Sequence, residues 1–369
     1  MLLGALSTAQ QAALVHVRRQ ALAQQARARA RIEARLHPAG CSIQQWDDAM
    51  HQLGEHGRAR VCVHFHPDRL DRQDRLVAQG LLADGKYRSQ FETGLSSGSR
   101  TAHAGGERDE WERALFGGAY QVPGVSAVER PCYGALALID HPDGPAPRFG
   151  SCYLVLRPQV LQRATFTFAG SEQALAAEWI GDRVVLDSVM AALLEEIAQG
   201  EGARVPWPPW QASTLGVPGL TVAGLVERLS CPTDQTCAST PGRVLDSGIE
   251  AQVHGPILLG RDVEALVTDP AFDATPTGVL LDELCQRHGL VRRRHGGFRL
   301  AASAVPADFR GPAMPALARR IAGPDGVLDA AVIGTAERSL PHQPDQTETR
   351  QHLKQLWHVL VHHGTAASV

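Results

Sequence analysis

The sequence predicts an α+β fold, in which strands are mixed with short helices. Segments that alternate apolar with other residues, such as "RVCVHFH" from Arg60, predict strands. Segments with apolar residues at helical spacing, such as "VVLDSVMAALLEEIAQG", predict amphipathic helices. The strands and helices do not alternate regularly along the chain, which favours the α+β class over a doubly wound parallel sheet.

The 369 residues are enough for about two domains. Residues 8–36, which are rich in Ala, Gln and Arg, predict a helix, and we assign residues 1–55 to a helical N-terminal extension. Residues 56–270 carry most of the strand patterns and are predicted to form an α+β catalytic core. Residues 271–369 are predicted to form a small C-terminal α/β region, with a hairpin turning at Gly296-Gly297 and an amphipathic terminal helix.

Composition and charge restrict the class of protein. The formal net charge of −3 argues against a general nucleic-acid binder, and the N-terminal arginines predict a solvated helix face. Seven scattered cysteines are typical of reduced thiols in a cytosolic protein. No apolar run approaches the roughly 20 residues of a membrane span, and Arg18 and Arg19 follow the first apolar run instead of preceding it as in a signal peptide. We therefore expect a cytoplasmic protein that does not bind membranes.

Two histidines, His64 and His66, lie on one face of the first predicted strand. They could share a metal ion with His254 and Asp68, as in a metal-dependent hydrolase, or one of them could contact a nucleotide. The sequence contains no second His-x-His, no His-Glu-x-x-His and no paired Cys-x-x-Cys motif. A metal site is therefore the alternative, and we expect no metal.

A polar loop and a late strand add candidate binding residues. The segment "YRSQFETGLSSGS" from Tyr87 combines an arginine with glycines and hydroxyl groups, as in phosphate-binding loops. An ordinary surface turn is the alternative for this segment. The strand "IEAQVHG" from Ile249 has Glu250, Gln252 and His254 on one face, which forms either the wall of a cleft or a solvent-facing surface.

The phrases "HFHPDR", "LVAQGLLADG" and "FETGLSS", followed far downstream by a strand with a lone acid, resemble the ADP-ribosyltransferase superfamily of the poly-ADP-ribose polymerase-like His/Tyr/Glu type. The resemblance covers about residues 58–265 and implies an ADP-ribosyltransferase-like mixed-sheet core. It also implies that NAD is a substrate and that ADP-ribose is transferred to a macromolecular acceptor, either protein or nucleic acid, with nucleic acid the less favoured of the two.

The resemblance assigns roles to three catalytic residues. His66 would bond a ribose hydroxyl of NAD, Glu250 would bond the 2′-hydroxyl and stabilise an oxocarbenium-like transition state, and Gln252 would hold the acceptor. Three departures from the family pattern are present, and one of them is that no clear Gly-x-Tyr-Phe phrase follows the second strand. Pro67 follows the histidine where the family has Gly, and Gly248 stands where arginine-modifying members have a second acid.

The same resemblance implies a set of NAD-binding residues. Arg88 would pair with the pyrophosphate, because its planar fork matches phosphate oxygens. Tyr133 would stack on the nicotinamide, with Tyr87 and Phe149 as alternatives. If Arg88 is instead the early arginine of the superfamily, a middle-strand serine is expected at position 151. The hydroxyl groups predicted to contribute are those of Ser89, Thr93, Ser96 and Ser151.

The motifs "YRSQFETG", "ERDEWERALFGGAY", "RPCYGAL", "RFGSCYLVLRP" and "EAQVHGPILLGRDVEALV", taken in this order, also resemble a bacterial protein family of unknown function. That family brings no assigned activity. We expect an enzyme of the glycosyltransferase class. The alternatives are a metal-dependent hydrolase that uses the His-x-His strand and a non-enzymatic interaction protein that docks through its Arg-rich N-terminal helix and its tail.

Overall fold

The computed structural model describes residues 6–55, 59–94, 102–171, 177–199, 215, 217, 219–230, 245–339 and 347–367. Within these ranges the chain forms one large mixed β-sheet, two small two-stranded sheets and a set of helices packed around them. This architecture confirms the predicted α+β class.

The strands formed by the described residues are numbered in chain order: β1 (Arg60–Phe65), β2 (Lys86–Tyr87), β3 (Cys132–Ala137), β4 (Cys152–Leu156), β5 (Ala164–Phe168), β6 (Ile180–Asp182), β7 (Ile249–Val253), β8 (Ile257–Leu258), β9 (Val263–Thr268), β10 (Val291–Arg294), β11 (Leu300–Ala301) and β12 (Val327–Leu328). The helices of the same ranges are α1 (Thr8–Leu36), α2 (Ile43–Glu55), α3 (Val77–Asp84), α4 (Gln90–Thr93), α5 (Glu107–Phe116), α6 (Asp187–Gln199), α7 (Val222–Ser230), α8 (Leu259–Asp262), α9 (Pro276–His288), α10 (Met314–Ile321), α11 (Ala330–Arg338) and α12 (Thr347–His363). The structure confirms the strands predicted at "RVCVHFH", "YGALALI", "SCYLVLR", "ATFTFAG" and "IEAQVHG". It also confirms the predicted N- and C-terminal helices.

The large sheet has the strand order β10-β9-β4-β1-β3-β7-β5-β6. Its neighbours are antiparallel except for β9 and β10, which are parallel. On β3 and β7, Tyr133 is paired with Gln252 and Ala135 with Glu250. Residues directly opposite each other across an antiparallel pair share a face of the sheet, so these four side chains lie on the same side.

The N-terminal helix α1 lies along the body of the protein. Ser7 and Gln10 form a capping box at its start, and α1 packs against α6 and β6. Arg31 forms a bidentate pair with Glu195 on α6, at 2.6 and 2.8 Å. Part of the predicted solvated arginine face is therefore bound to the body of the protein by ion pairs.

One hydrophobic core contains residues from each of the three predicted regions. Ile32 of α1, Leu154 of β4 and Leu356 of α12 are all fully buried members of it. Helices α1 and α6 pack against β5 and β6 at one end of the large sheet.

The predicted hairpin at Gly296-Gly297 is wrong. β10 pairs in parallel with β9 at the edge of the large sheet, whereas β11 pairs with β12 in a separate small sheet. The free edge of β9 provides backbone partners for β10, so the chain leaves the sheet at the glycines instead of turning back on itself. In the described part of the chain, no helix is both long enough and apolar enough to cross a membrane.

Candidate functional site

A cavity of about 520 Å³ opens on the polar face of the sheet. Its size is within the range of small-molecule and cofactor sites. Of the predicted site residues, His66, Arg88, Thr93, Tyr133 and Glu250 line it, and so do Tyr87 and Phe149, the two alternatives for the aromatic position.

The floor of the cavity is built from three neighbouring strands. His66 directly follows β1, Tyr133 lies on β3, and Glu250 lies on β7, and these strands are adjacent in the order β1-β3-β7. The three residues are far apart in the sequence, and the antiparallel pairing of the strands brings them to one face. The structure therefore brings together the predicted histidine, tyrosine and glutamate.

The carboxylate of Glu250 is oriented by two hydrogen bonds. Gln252 Nε2 donates to Glu250 Oε1 at 3.0 Å, and the backbone N–H of Ser171 donates to the same oxygen at 3.3 Å. Gln252 is fully buried and does not line the cavity; its amide is also bonded to the hydroxyl groups of Thr165 and Thr167, at 2.8 and 3.2 Å. Gln252 is thus placed to position Glu250.

The imidazole of His66 is half-buried at the cavity wall. Its Nδ1 lies 3.4 Å from Ser151 Oγ, and its ring meets the indole of Trp357 edge to face, with 4.9 Å between the ring centres. Burial, together with the nearby Arg69 guanidinium, lowers the pKa of His66 well below its ordinary value of 6.5. The ring is therefore neutral and can donate one hydrogen bond and accept another. Ser151 touches His66 but does not itself line the cavity.

Tyr133 is fixed from two sides. Its hydroxyl donates to Glu112 Oε1 at 2.8 Å, and the guanidinium of Arg108 lies over its ring at 4.5 Å from the centre. Glu112 is completely buried and also accepts from Arg130 Nη1 at 2.7 Å, while burial raises its pKa to about 7. This network gives the aromatic wall of the cavity a defined orientation.

Cationic side chains are the most numerous charged groups around the cavity. Among the described residues that line it, eight are arginines or lysines and three are carboxylates, namely Asp71, Glu250 and Glu337. Four of the cations come from the first part of the chain, at Arg69, Lys86, Arg88 and Arg108. The other four are Arg148, Arg338, Arg350 and Lys354. Several of these cations are paired with acids just outside the lining, such as Arg88 with Asp84, Lys86 with Glu92 and Arg148 with Asp246. The cavity therefore offers many cationic hydrogen-bond donors to an anionic ligand.

Most of these cations were not predicted from the sequence. Arg88 was predicted, and its Nη2 lies 2.7 Å from Asp84, which holds the side chain at the cavity edge. The four-residue spacing of Arg350 and Lys354 on the predicted terminal helix was a usable signal, because such residues share a helix face. Nothing in the local sequence around Arg148 or Arg338 indicates that they approach the same cavity.

The predicted phosphate-binding loop is a short helical turn in its first part. Ser89 caps α4 by accepting from the backbone N–H of Glu92 at 3.2 Å, and its hydroxyl donates to the carbonyl of Ala127 at 3.0 Å. Ser89 is buried and does not line the cavity, whereas Thr93 does. Ser96 lies outside the described residues.

The alternative ligand set His64, His66 and His254 is not assembled. The ring of His64 donates from Nδ1 to the carbonyl of Gly150 at 3.1 Å and accepts at Nε2 from the N–H of Ala146 at 3.2 Å. His254 does not line the cavity; its nitrogens are bonded to the hydroxyls of Tyr120 and Thr165, at 2.6 and 3.1 Å. Across the described ranges, no group of three or more His, Cys, Asp and Glu residues has an arrangement that could hold a metal ion.

The carboxylate of Asp68, the fourth residue of the alternative metal site, is likewise bonded to another side chain. It accepts from Arg338 Nη1 at 2.7 Å, and Arg338 in turn reaches the cavity from the end of α11. Asp68 thus acts as an anchor for a cavity arginine.

Comparison with known proteins identifies the family and assigns no activity. No curated protein matches the chain. A family described as a protein of unknown function, DUF3626, matches residues 60–363. The match begins at the first residue of β1 and ends at the last residue of α12, so it includes every residue that lines the cavity. The chain belongs to the DUF3626 family of proteins of unknown function.

Proposed function

We propose that the protein binds NAD in this cavity and transfers its ADP-ribosyl group to an acceptor. One observation carries the proposal: His66, Tyr133 and Glu250, which lie on or directly after three neighbouring strands, line one cavity together with Arg88. The resemblance to the ADP-ribosyltransferase superfamily implies this set of side chains. The succession β1-β3-β7 supports a core of that type.

The binding roles follow from the chemistry of each side chain. Neutral His66 exchanges hydrogen bonds with a hydroxyl of the nicotinamide ribose. The Arg88 guanidinium pairs with the diphosphate, since its parallel N–H groups match two phosphate oxygens. The ring of Tyr133, fixed by Glu112 and Arg108, packs on the nicotinamide.

Glu250 acts on the reacting sugar. The bond between the nicotinamide nitrogen and C1′ of the ribose breaks, and its electron pair leaves with nicotinamide. Positive charge builds on C1′ and the ring oxygen, and the fixed carboxylate of Glu250 stabilises it. The acceptor then forms a new bond to C1′ and releases a proton to solvent. Gln252 takes part as a positioning residue, because it holds Glu250 from within the sheet.

NAD binding is tested by calorimetry and thermal unfolding. A ligand present at 100 times its Kd stabilises the native state by about 2.7 kcal/mol, so NAD is expected to raise the Tm of the wild-type protein. Arg88→Gln is expected to weaken NAD binding about tenfold or more, because it removes a charge-assisted contact to the diphosphate. The matched control Arg293→Gln changes an exposed arginine outside the cavity. An absence of NAD binding to the wild-type protein would refute the proposal.

A further inference from the structure

The C-terminal helices contribute a second group of cations to the cavity. Arg350 and Lys354 lie four residues apart on α12 and share one face of that helix. Arg338 reaches the cavity from the end of α11, and Arg148 from the short 3-10 turn Pro147–Phe149. We call these four residues the cationic wall.

The cationic wall is held next to His66. Trp357, less than one turn after Lys354, donates from its indole Nε1 to the carbonyl of Pro147 at 2.9 Å, and its ring packs against that of His66. This contact fixes α12 against the turn that carries Arg148. The cations of α12 therefore lie on the side of the cavity where His66 would meet the ribose.

Two members of the wall are held in place by buried acids. Arg148 is paired with Asp246 at 2.7 Å, and Arg338 with Asp68 at 2.7 Å. The imidazole of His358, the residue after Trp357, is only 5% exposed, and within the described ranges neither of its nitrogens has a hydrogen-bond partner. Burial lowers the pKa of His358 well below its ordinary value, and Arg310, Arg148 and Lys354 lower it further. The imidazole of His358 is therefore a buried, uncharged neighbour of Arg148 and Lys354 that does not itself line the cavity.

We infer that the cationic wall is an anion subsite that binds a phosphate group, and that the acceptor of the ADP-ribosyl group is a small phosphorylated molecule. The inference rests on the proposed function, in which the diphosphate of NAD is held by Arg88 on the segment after α3. The wall belongs to different segments and adjoins His66, so its charge serves a second anionic group. Two or more guanidinium forks match the oxygens of a phosphate monoester.

The small size of the acceptor follows from the shape and charge of the protein. The wall lines a cavity of about 520 Å³, and the formal net charge of the whole chain is −3. A protein that grips polynucleotides along their backbone carries an extended basic surface with a net positive charge. The four cations of the wall instead line one concave cavity.

The subsite is tested by calorimetry with inorganic phosphate, glycerol 3-phosphate and a 5′-phosphorylated hexanucleotide as probes. The variants are Arg350→Gln and Lys354→Gln, and Arg293→Gln on the exposed edge strand β10 is the matched control. We expect each cavity variant to weaken binding of inorganic phosphate and glycerol 3-phosphate about tenfold or more, and the control to bind as the wild-type protein does. Melting temperatures of the variants verify that they are folded.

The outcomes separate this inference from the proposed function. One outcome is that phosphate binding depends on Lys354, while the wild-type protein neither binds NAD nor releases nicotinamide. This outcome supports the phosphate subsite and refutes the proposed function. If NAD is bound and phosphate affinity is the same in the wild-type protein and both cavity variants, the subsite is overturned and the proposed function stands. A hexanucleotide that binds far more tightly than glycerol 3-phosphate, with loss in both cavity variants, overturns the assignment to a small acceptor.

Discussion

Gln252 and Glu250, two residues apart on β7, are joined by a hydrogen bond of 3.0 Å from the amide nitrogen to the carboxylate. The same amide is bonded to Thr165 and Thr167 on the neighbouring strand β5. Glu250 is therefore the outermost member of a buried polar network, and its carboxylate faces the cavity in a fixed orientation. An unsupported carboxylate would lose rotational entropy on meeting a substrate.

Replacing Gln252 by Met tests this positioning. The variant keeps a side chain of similar length but leaves Glu250, Thr165 and Thr167 without their shared partner. We expect the free energy of unfolding to fall by about 1–3 kcal/mol, the cost of unsatisfied buried polar groups. We also expect kcat for nicotinamide release to fall more than KM for NAD rises. A variant with wild-type kcat would show that Gln252 is structural only.

The burial of two histidines predicts that the folded protein loses stability as the pH falls. Burial lowers the pKa values of His64 and His254 to about 3, whereas both would titrate near 6.5 in the unfolded chain. Below pH 6.5 the unfolded state binds protons that the native state does not. Each histidine therefore contributes stability that is fully present above pH 6.5 and is lost as the pH falls toward 3, at about 1.4 kcal/mol per pH unit.

Urea unfolding between pH 4.5 and 6 checks this expectation. The variant His254→Gln should lose stability less steeply than the wild-type protein as the pH falls. The difference in slope should correspond to the uptake of about one proton fewer on unfolding. Equal pH slopes for the two proteins would mean that His254 is protonated in the native state.

A glycine of α11 is predicted to be needed for the anchor of Arg338. A Cβ atom on Gly334 would overlap with Asp68 Oδ2, the oxygen that accepts from Arg338 at 2.7 Å. Asp68 is buried and its carboxylate is held by Arg338, so displacing the carboxylate would break that pair. Gly334→Ala should therefore lower the free energy of unfolding by about 1–3 kcal/mol, despite the better helix propensity of Ala.

The control for that substitution is Gly54→Ala on α2, where the described residues place no atom within 4 Å of the new Cβ apart from the adjacent residues and backbone of the helix itself. Here we expect unchanged or higher stability, by up to about 1 kcal/mol. Thermal unfolding distinguishes the two variants. A Gly334→Ala protein as stable as Gly54→Ala would contradict the close packing of α11 on Asp68.

Local sequence patterns predicted the elements of this fold more completely than their pairing. Alternation identified β1 and β7, and helical spacing identified α6 and α12. The pairing of β10 was missed, because "VRRR" gives no sign that the free edge of β9, more than twenty residues earlier, is its partner. Strand pairing over such a separation depends on the assembled sheet.

For the candidate site, too, the sequence predicted individual residues more completely than the contacts between them. The order of motifs predicted that His66, Tyr133 and Glu250 belong together, and they share one cavity. The burial of Gln252 was not predictable, because its partners Thr165 and Thr167 come from another strand. The contribution of the C-terminal helices was missed as well, since it depends on how Trp357 fixes α12.

The most direct test of the central claim is release of nicotinamide from NAD carrying a labelled adenylate, in the presence of a cell lysate as a source of acceptors. We predict nicotinamide release with transfer of the label by the wild-type protein. We predict a loss of both by about 10²–10³-fold in Glu250→Gln, which removes the charge that stabilises the oxocarbenium-like state but keeps the shape of the side chain. A wild-type protein that neither releases nicotinamide nor transfers label, or a Glu250→Gln protein as active as the wild type, would contradict the claim.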